Sequence, residues 1–425
     1  MSRAMKDSGI PWIGERPEGW GIDTIGNLYT LRTEKVSDKD YAPLSVTKMG
    51  IVPQLETAAK TDDGDNRKLV RVGDFAINSR SDRRGSCGIS AYDGSVSLIN
   101  LVLTPRGQMY PRFYNWLFHT ELFADEFYKW GHGIVDDLWT TRWQEMKRIS
   151  IVSPSYQEQQ KIAEFLDRKC AEVDEMIGLQ EQIIEELKAY KQSVITEAVT
   201  KGLNPDAPMR DSGIEWIGHI PEHWIYTKLK HICSFHNGDR SKNYPCPDDF
   251  VDKGVPFYGA DSLNDFIANV NYARFITEEK YNLMGGLKII EGDILYTLRG
   301  STIGKNAIVQ QPNGTTASSL MGIRRKDALT NAMYLLYWLH SQNEYIQRDI
   351  CINGATAPNL SAEDVKKFML FLPPISEQQA IADYLDEKCA DINSLIQTKQ
   401  EKIDSLKEYK KSIIYEYVTG KREVV

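Results

Sequence analysis

Apolar and long-stemmed side chains alternate at spacings of three and four in two stretches of the chain. The first holds Ile162, Leu166, Val173, Ile177, Ile184, Leu187 and Val194; the second holds Ile381, Leu385, Ile392, Ile396, Ile403, Leu406 and Ile413. This alternation lines residues along one seam of an α-helix and predicts helices that pair as a coiled coil. The second stretch repeats the first 219 residues later, position for position. Lys169, Gln180 and Lys191 interrupt the seam, matched by Lys388, Lys399 and Lys410. Polar seam positions weaken pairing but fix its register. Neither stretch contains proline, and only Gly178 weakens the first. At roughly 43 residues each, the helices reach about 65 Å. Pro154-Ser155 and Pro373-Pro374 mark their starts, with Ser376 a candidate cap, and Gly202 and Gly420 mark their ends. Ordinary bundle helices are the plainer alternative; the matched length and register favour a paired spacer.

Between the helical stretches lie two regions, about 21–153 and 225–372, with strand-like apolar runs and Gly-Asp turns. LVRVGDFAINSR at Leu69 aligns with LKIIEGDILYTLR at Leu287, so that Arg80 matches Arg299. A helical stretch follows in each, then the glycine turns GHGIVDDL and NGATAPNL. No βαβ series is present, so the regions read as mixed α/β, rich in antiparallel pairing. The predicted fold class is α+β: two similar domains separated by a pair of long antiparallel coiled-coil helices. The boundaries predicted are 1–154 and 209–373 for the domains, 155–208 for the first helix with its linker, and 374–425 for the second.

Each domain opens on one box. Residues 5–20 read MKDSGIPWIGERPEGW and residues 209–224 read MRDSGIEWIGHIPEHW. The boxes are offset by 204 residues and the helices by 219, so the second unit carries fifteen extra residues between its markers. The first helix is followed by a box, whereas the second is followed only by KREVV. The missing successor stands at the N-terminus. This circular order predicts pseudo-two-fold symmetry, with residues 7–20 packed near the end of the second helix. Trp12-Ile13-Gly14 and Trp216-Ile217-Gly218 read as packing elements beside tight turns.

Charge changes the picture only when located. The net −8 resides in the two helices: residues 158–200 carry ten acids and five bases, and residues 377–419 nine acids and six bases. The remainder is balanced at 40 of each sign, so local basic clusters dominate the field at a binding face. The candidates are Arg67 and Lys68, then Arg80, Arg83 and Arg84 after the following strand. In the second domain they are Arg240, Lys242 and Asn243, and Arg299, Ser301, Thr302 and Lys305 in the loop equivalent to that of Arg80. Arginine pairs bidentately with guanine, asparagine with adenine, and lysine, serine and threonine serve bases or phosphate. A solvated mixed surface is the bland alternative for each residue; the recurrence at one place in both domains favours DNA.

Catalytic signatures fail one by one. GSTIGKN at Gly300 has the wrong spacing for a phosphate loop, and Asn306 stands where Ser or Thr should hold magnesium. No glycine fingerprint for a dinucleotide or methyl donor follows a strand. His231, Cys233 and His236 match no zinc spacing. The six cysteines, Cys87, Cys170, Cys233, Cys246, Cys351 and Cys389, form no CxxC pair, which with the absence of a secretory leader reads as a reduced, cytoplasmic chain. No catalytic residue and no metal site is predicted.

The DSGI-x-WIG-x-x-P-E-x-W boxes, the EQQ-x-IA start of each long helix and the L-K-x-Y-K-x-S stretches at Leu187 and Leu406 resemble the specificity subunits of type I restriction–modification systems. The resemblance covers essentially the whole chain. It implies a bacterial or archaeal subunit whose two target recognition domains bind double-stranded DNA at a bipartite site. It further implies two modification subunits, which methylate adenine, and restriction subunits that cleave, with S-adenosylmethionine, ATP and Mg on those partners and no cofactor in this chain. The family's base contacts are not transferable to these loops, so the named residues rest on their chemistry. Two other readings stay open: a protein-interaction scaffold with two domains on a coiled-coil arm and no DNA role, and, against the missing motifs, a self-sufficient restriction–modification enzyme.

Overall fold

The computed structural model describes residues 3–55, 63–133, 139–264, 266–352 and 359–424. Most of the two glycine turns, at 134–138 and 353–358, lies outside the described residues. The chain divides into two compact units, Met1–Glu181 with Gln400–Val425, and Gln182–Lys399. Each unit holds part of both long helices, a partition by contact that cuts across the sequence boundaries at 155–208 and 374–425.

The first unit is built on a four-stranded antiparallel sheet of β1 (Tyr29–Leu31), β2 (Phe75–Asn78), β3 (Cys87–Ile89) and β4 (Asn100–Pro105), in the order β1-β4-β2-β3. All four residues of β2 are buried, because both faces of the sheet are covered. With side chains alternating across the strand, Phe75 and Ile77 enter an aromatic cluster with Phe113, Phe118 and Phe123. Ala76 instead meets Leu44, Val70 and Val96. The aromatics come from α1 (Pro111–Phe118), with proline at its first position, and α2 (Glu121–Lys129), where Thr120 Oγ1 accepts from the Phe123 amide. The first long helix, α3 (Tyr156–Lys201), follows.

The second unit repeats this plan. Strands β5 (Cys233–Asn237), β6 (Ile294–Thr297), β7 (Asn306–Ile308) and β8 (Leu320–Arg325) run in the matching order β5-β8-β6-β7, all antiparallel. Helices α4 (Ala332–Leu339) and α5 (Gln342–Cys351) replace α1 and α2, and the second long helix, α6, spans Ile375–Val418.

Within each unit the long helices pair antiparallel. In the first, the rings of Phe165 and Tyr417 lie 4.4 Å apart and Lys410 Nζ reaches Asp174 Oδ1 at 2.6 Å. In the second, Lys191 Nζ donates to Asn393 Oδ1 at 2.9 Å. The seam is sheltered throughout: Ile162, Leu166, Val173, Ile184, Ile381, Leu385, Ile392, Ile403, Leu406 and Ile413 are buried, and Ile177, Leu187, Val194 and Ile396 partly so. Gly202 and Gly420 follow the last helical turns at φ +75° and +76°, the left-handed conformation that closes helices. The starts differ from expectation in one detail. Ser155 caps α3, its hydroxyl accepting from the Glu158 amide at 3.3 Å, but Ser376 lies inside the first turn of α6, which begins at Ile375 directly after Pro374.

The EQQ-x-IA signature acquires a physical meaning here. Gln159 accepts from the Tyr110 amide at 2.8 Å and donates to Pro154 O at 2.8 Å. Gln378 does the same with the Asn331 amide and Pro373 O, both at 2.8 Å. These buried glutamines tie the start of each long helix to the segment entering α1 or α4, while Ile162, Ala163, Ile381 and Ala382 seal the seam. The N-terminal box packs against the end of α6, as the circular order requires: Lys421 Nζ donates to Ile13 O at 2.7 Å. The boxes differ at one point. Trp12 is buried edge-on to Phe123, 6.0 Å between centroids, whereas Trp216 remains 37% exposed. Counting from the caps Thr120 and Ser341, the place of Phe123 is taken by Glu344, so Trp216 lacks the aromatic partner.

Candidate nucleic-acid interface

The two expected recognition loops leave equivalent strands. β2 runs into Arg80, which bridges to Thr140, and β6 into Arg299, which bridges to Asn359. Both loops close the same way: the Asn78 amide donates to Ser86 O at 2.9 Å, and the Thr297 amide to Lys305 O at 2.8 Å. A strand, β7, follows the 300–305 turn. The segment therefore lacks the helix N-terminus a phosphate cradle needs.

In the first unit the loop borders a cleft lined by Lys48, Arg67, Asn78, Arg80, Arg83 and Asn100. Arg80 is half-buried, and Arg83 is exposed beside Asp82 at 3.6 Å. Arg84 forms an ion pair with Asp125 on α2. Arg67 and Lys68 were expected as surface contacts, but both lie on a strand, Arg67–Val70. Arg67 is 4% exposed, its Nε donating to Ser95 Oγ at 2.8 Å, and burial lowers its pKa. Lys68 is half-buried and donates to Asn100 O at 2.6 Å, with its pKa also lowered by burial. The correction is physical: the guanidinium of Arg67 forms part of the cleft floor. Lys48 and Asn100 escaped the sequence reading because separate strands and turns bring them to the cleft.

In the second unit two loops meet one turn. Arg240 donates to Ser318 O at 3.2 Å, and the amide of Leu298, which opens the other loop, donates to Ser319 O at 2.8 Å. Arg240, Lys242, Arg299, Ser301 and Lys305 are exposed, and Asn243 and Thr302 half-buried. Lys305 Nζ is steadied by Asn264 Oδ1 at 2.9 Å, and Asn243 Nδ2 by Leu283 O at 2.9 Å. Exposed cations of this kind suit polyanion contact.

His231, Cys233 and His236 do not converge. Cys233 is buried, its thiol pushed up to about 12 by burial, while His236 Nε2 lies 3.1 Å from Ser234 Oγ. Among the described residues no cluster of three or more His, Cys, Asp or Glu is arranged to hold a metal ion, and no helix is long and apolar enough to cross a membrane.

Two units of one topology, each ending its central strands in a cation-bearing loop and sharing two long helices, define a duplicated α+β fold. The family model of the type I restriction modification DNA specificity domain matches residues 221–405. The MjaVIII specificity subunit of Methanocaldococcus jannaschii is 25% identical over 285 residues, 65% of this chain and 63% of that one. The EcoBI specificity subunit of Escherichia coli is 30% identical over 252 residues, 57% and 52% of the two chains. Both alignments span less than two thirds of those relatives. The EcoKI specificity subunit of Escherichia coli K12 is 23% identical over 410 residues, 88% and 83%. A chain from a structure of type I restriction–modification complex assembly superposes at TM-score 0.72 with 17% identity, covering 95% and 98% of the chains. The HsdS subunit from Thermoanaerobacter tengcongensis superposes at 0.53, also with 17% identity, covering 96% and 98%. At such identity these two likenesses speak of fold. Residues 221–405 are thus similar to the type I restriction modification DNA specificity domain, and the chain as a whole is similar in sequence to specificity subunits and in fold to two solved structures.

Proposed function

We propose that this chain is the non-catalytic DNA-binding subunit of a type I restriction–modification complex, and that each unit reads one half of a bipartite duplex target. The observation that carries this reading is the recurrence of an arginine at the same strand end in both units, Arg80 and Arg299, each opening a loop of exposed polar and basic residues. The loops differ in sequence at one framework position, as expected of two readers of different bases. Modification subunits are the proposed partners of the helices. Exposed apolar residues recur there, Met176 and Tyr409 in the first unit and Leu395 and Tyr190 in the second, at the 219-residue offset. Duplicated sticky positions fit two copies of one partner. S-adenosylmethionine, ATP and Mg belong to the partners in this reading, and methylation of an adenine there requires the base to leave the duplex.

The test is an exchange of residues 21–153 for the same region of another family member, followed by mapping of methylated adenines. One half of the target should change and the other persist. A change in both halves, or in neither, overturns the assignment of one half to each unit. The scaffold reading is discriminated by binding of the assembled complex to duplex DNA, which should weaken steeply with salt.

A further inference from the structure

One buried cluster in the second unit has no counterpart in the first. Tyr296 Oη donates to Glu344 Oε1, and Arg348 Nε donates to Glu344 Oε1 at 3.0 Å and Oε2 at 3.3 Å. The Glu344 side chain is 4% exposed and that of Arg348 16%. Aligned by the Gly-Asp turns and the helix caps, the same places in the first unit hold Ile77, Phe123 and Phe127, members of one apolar cluster. The framework thus accepts an aromatic filling here, and apolar filling is the cheaper solution, since taking a carboxylate and a guanidinium out of water costs several kcal/mol per ion. A polar cluster kept at such a place calls for a use.

Its position supplies one. Arg348 lies directly under the turn of the 299–305 loop: a Cβ built on Gly304, at φ +87°, would fall 2.3 Å from Arg348 Nε. Asn306, at the position of Cys87, donates to Gly304 O at 2.9 Å from the other side. The Gly304 amide donates to Thr297 O at 3.0 Å. The loop backbone at Gly304 is therefore clasped between the sheet and the guanidinium that Glu344 orients.

We propose that Glu344, acting through Arg348 and Tyr296, is a positioning residue that holds the 299–305 loop in its DNA-reading shape. The inference rests on the proposed reading of DNA by this loop. The ionisable groups acting on the cluster are Arg348 on the same helix, Tyr296 on the strand, and Cys351 near Tyr296. Burial pushes the Glu344 carboxyl up to about 7, with Arg348 and Tyr296 pulling it back. Above that pH the carboxylate holds Arg348; below it Arg348 loses its charged partner and the clasp slackens. Stability runs the opposite way. A carboxyl whose folded pKa is raised favours the fold when protonated, so this contribution is lost as pH rises from the ordinary carboxylate range through about 7. Stability that falls with pH while reading strengthens is not what a purely structural ion pair gives.

The test uses the full-length chain. Selection from a random duplex pool defines a consensus, and duplexes with one half or the other scrambled report each unit separately. Wild type should bind the half read by the second unit roughly tenfold more weakly at about pH 6 than at about pH 8, the size of one lost base contact. The other half should serve as the unchanged control. Glu344→Gln should show the weak level at both pH values, with a melting temperature at about pH 8 no lower than wild type. Arg348→Lys, which keeps the charge but loses the planar contact under Gly304, should also weaken that half. A flat wild-type profile, or full affinity in Glu344→Gln while Arg299→Ala loses binding, overturns the positioning role alone. Full affinity in both Arg299→Ala and Lys305→Ala overturns the reading of DNA by this loop, and the inference with it.

Discussion

Trp20 Nε1 donates to Glu158 Oε1 at 3.1 Å, and the repeat makes the same bond between Trp224 Nε1 and Glu377 Oε1, also at 3.1 Å. Each indole bridges two helix ends within its own unit. Trp20 touches the start of α3 through Glu158 and the end of α6 at Gly420; Trp224 touches the start of α6 through Glu377 and the end of α3 at Gly202. The last tryptophan of the box and the glutamate of the EQQ motif are thus two halves of one joint. The remaining contacts vary: His223 Nε2 lies 2.8 Å from Glu377 Oε2, whereas in the first unit Arg3 joins Trp20 on Glu158 Oε1 and Ser155 Oγ donates to Oε2 at 3.1 Å.

The Glu158 joint is pH-dependent in a defined direction. Burial alone raises its pKa, but hydrogen bonds from Arg3 and Trp20 outweigh it and leave the carboxyl lowered. A lowered carboxylate stabilises the fold above its unfolded pKa and loses that contribution as pH falls through the folded value. Glu158→Gln should therefore melt below wild type at neutral pH, by about 1 kcal/mol after discounting for its partial exposure. The gap should close below about pH 4. Thermal melts of both proteins across pH measure it, and a gap that persists in acid refutes the account.

Two glycines in the helical segments should respond oppositely to alanine. Gly178 sits inside α3 with nothing within 4 Å of a built Cβ, so Gly178→Ala should stabilise by about 0.5–1 kcal/mol through helix propensity. Gly420 holds φ +76°, and its Cβ would fall 2.5 Å from Pro17 and 2.9 Å from Trp20. Gly420→Ala should destabilise the first unit by more than about 1 kcal/mol, the cost of the left-handed backbone alone, plus the displacement of the box. Denaturant midpoints separate the two signs.

The Gly-Asp turns hold a third measurable interaction. Asp293 is fully buried and receives Arg324 at 2.7 Å through both Nε and Nη2. In the first unit Asp74 receives Arg32 at 2.7 Å, from just past the end of β1, and Thr104 at 3.0 Å. Asp293→Ala strands a partly buried guanidinium and should cost about 3–5 kcal/mol. A loss under about 1 kcal/mol, the surface-pair range, would show that water replaces the carboxylate.

These joints mark where the sequence was readable and where it was not. The seam, the helix ends and the circular order were legible because periodicity, glycine and repetition are local signals. The partners of Glu158 and Gln159 were not, although the motif was plain, because Trp20 and Tyr110 are 138 and 49 residues away. Arg67 looked like a free cation because sequence cannot show Ser95 folding over it. Glu344 drew no notice, since a lone glutamate on an amphipathic helix reads as solvated until the strand bearing Tyr296 covers it.

The arginines after β2 separate free from committed charge. Arg83 has its side chain 69% exposed and lies 3.6 Å from the adjacent Asp82, whereas Arg84 is paired with Asp125 on α2. A phosphate contact by Arg83 gives up only a long, exposed pair with its chain neighbour Asp82, worth little in water, while Arg84 must leave a carboxylate on α2. Arg83→Ala should flatten the slope of log affinity against log salt by about 0.9, one phosphate's worth. Arg84→Ala should leave the slope within about a third of that value. Arg80 differs from both, since its half-buried stem and its bridge to Thr140 aim it from the strand end. Arg80→Ala should lower affinity for the cognate duplex more than for a scrambled one, by about 1–3 kcal/mol if it pairs with a base. Equal losses on both duplexes would reassign Arg80 to the backbone. Titrations of wild type and the three variants on both duplexes at several salt concentrations decide among these roles.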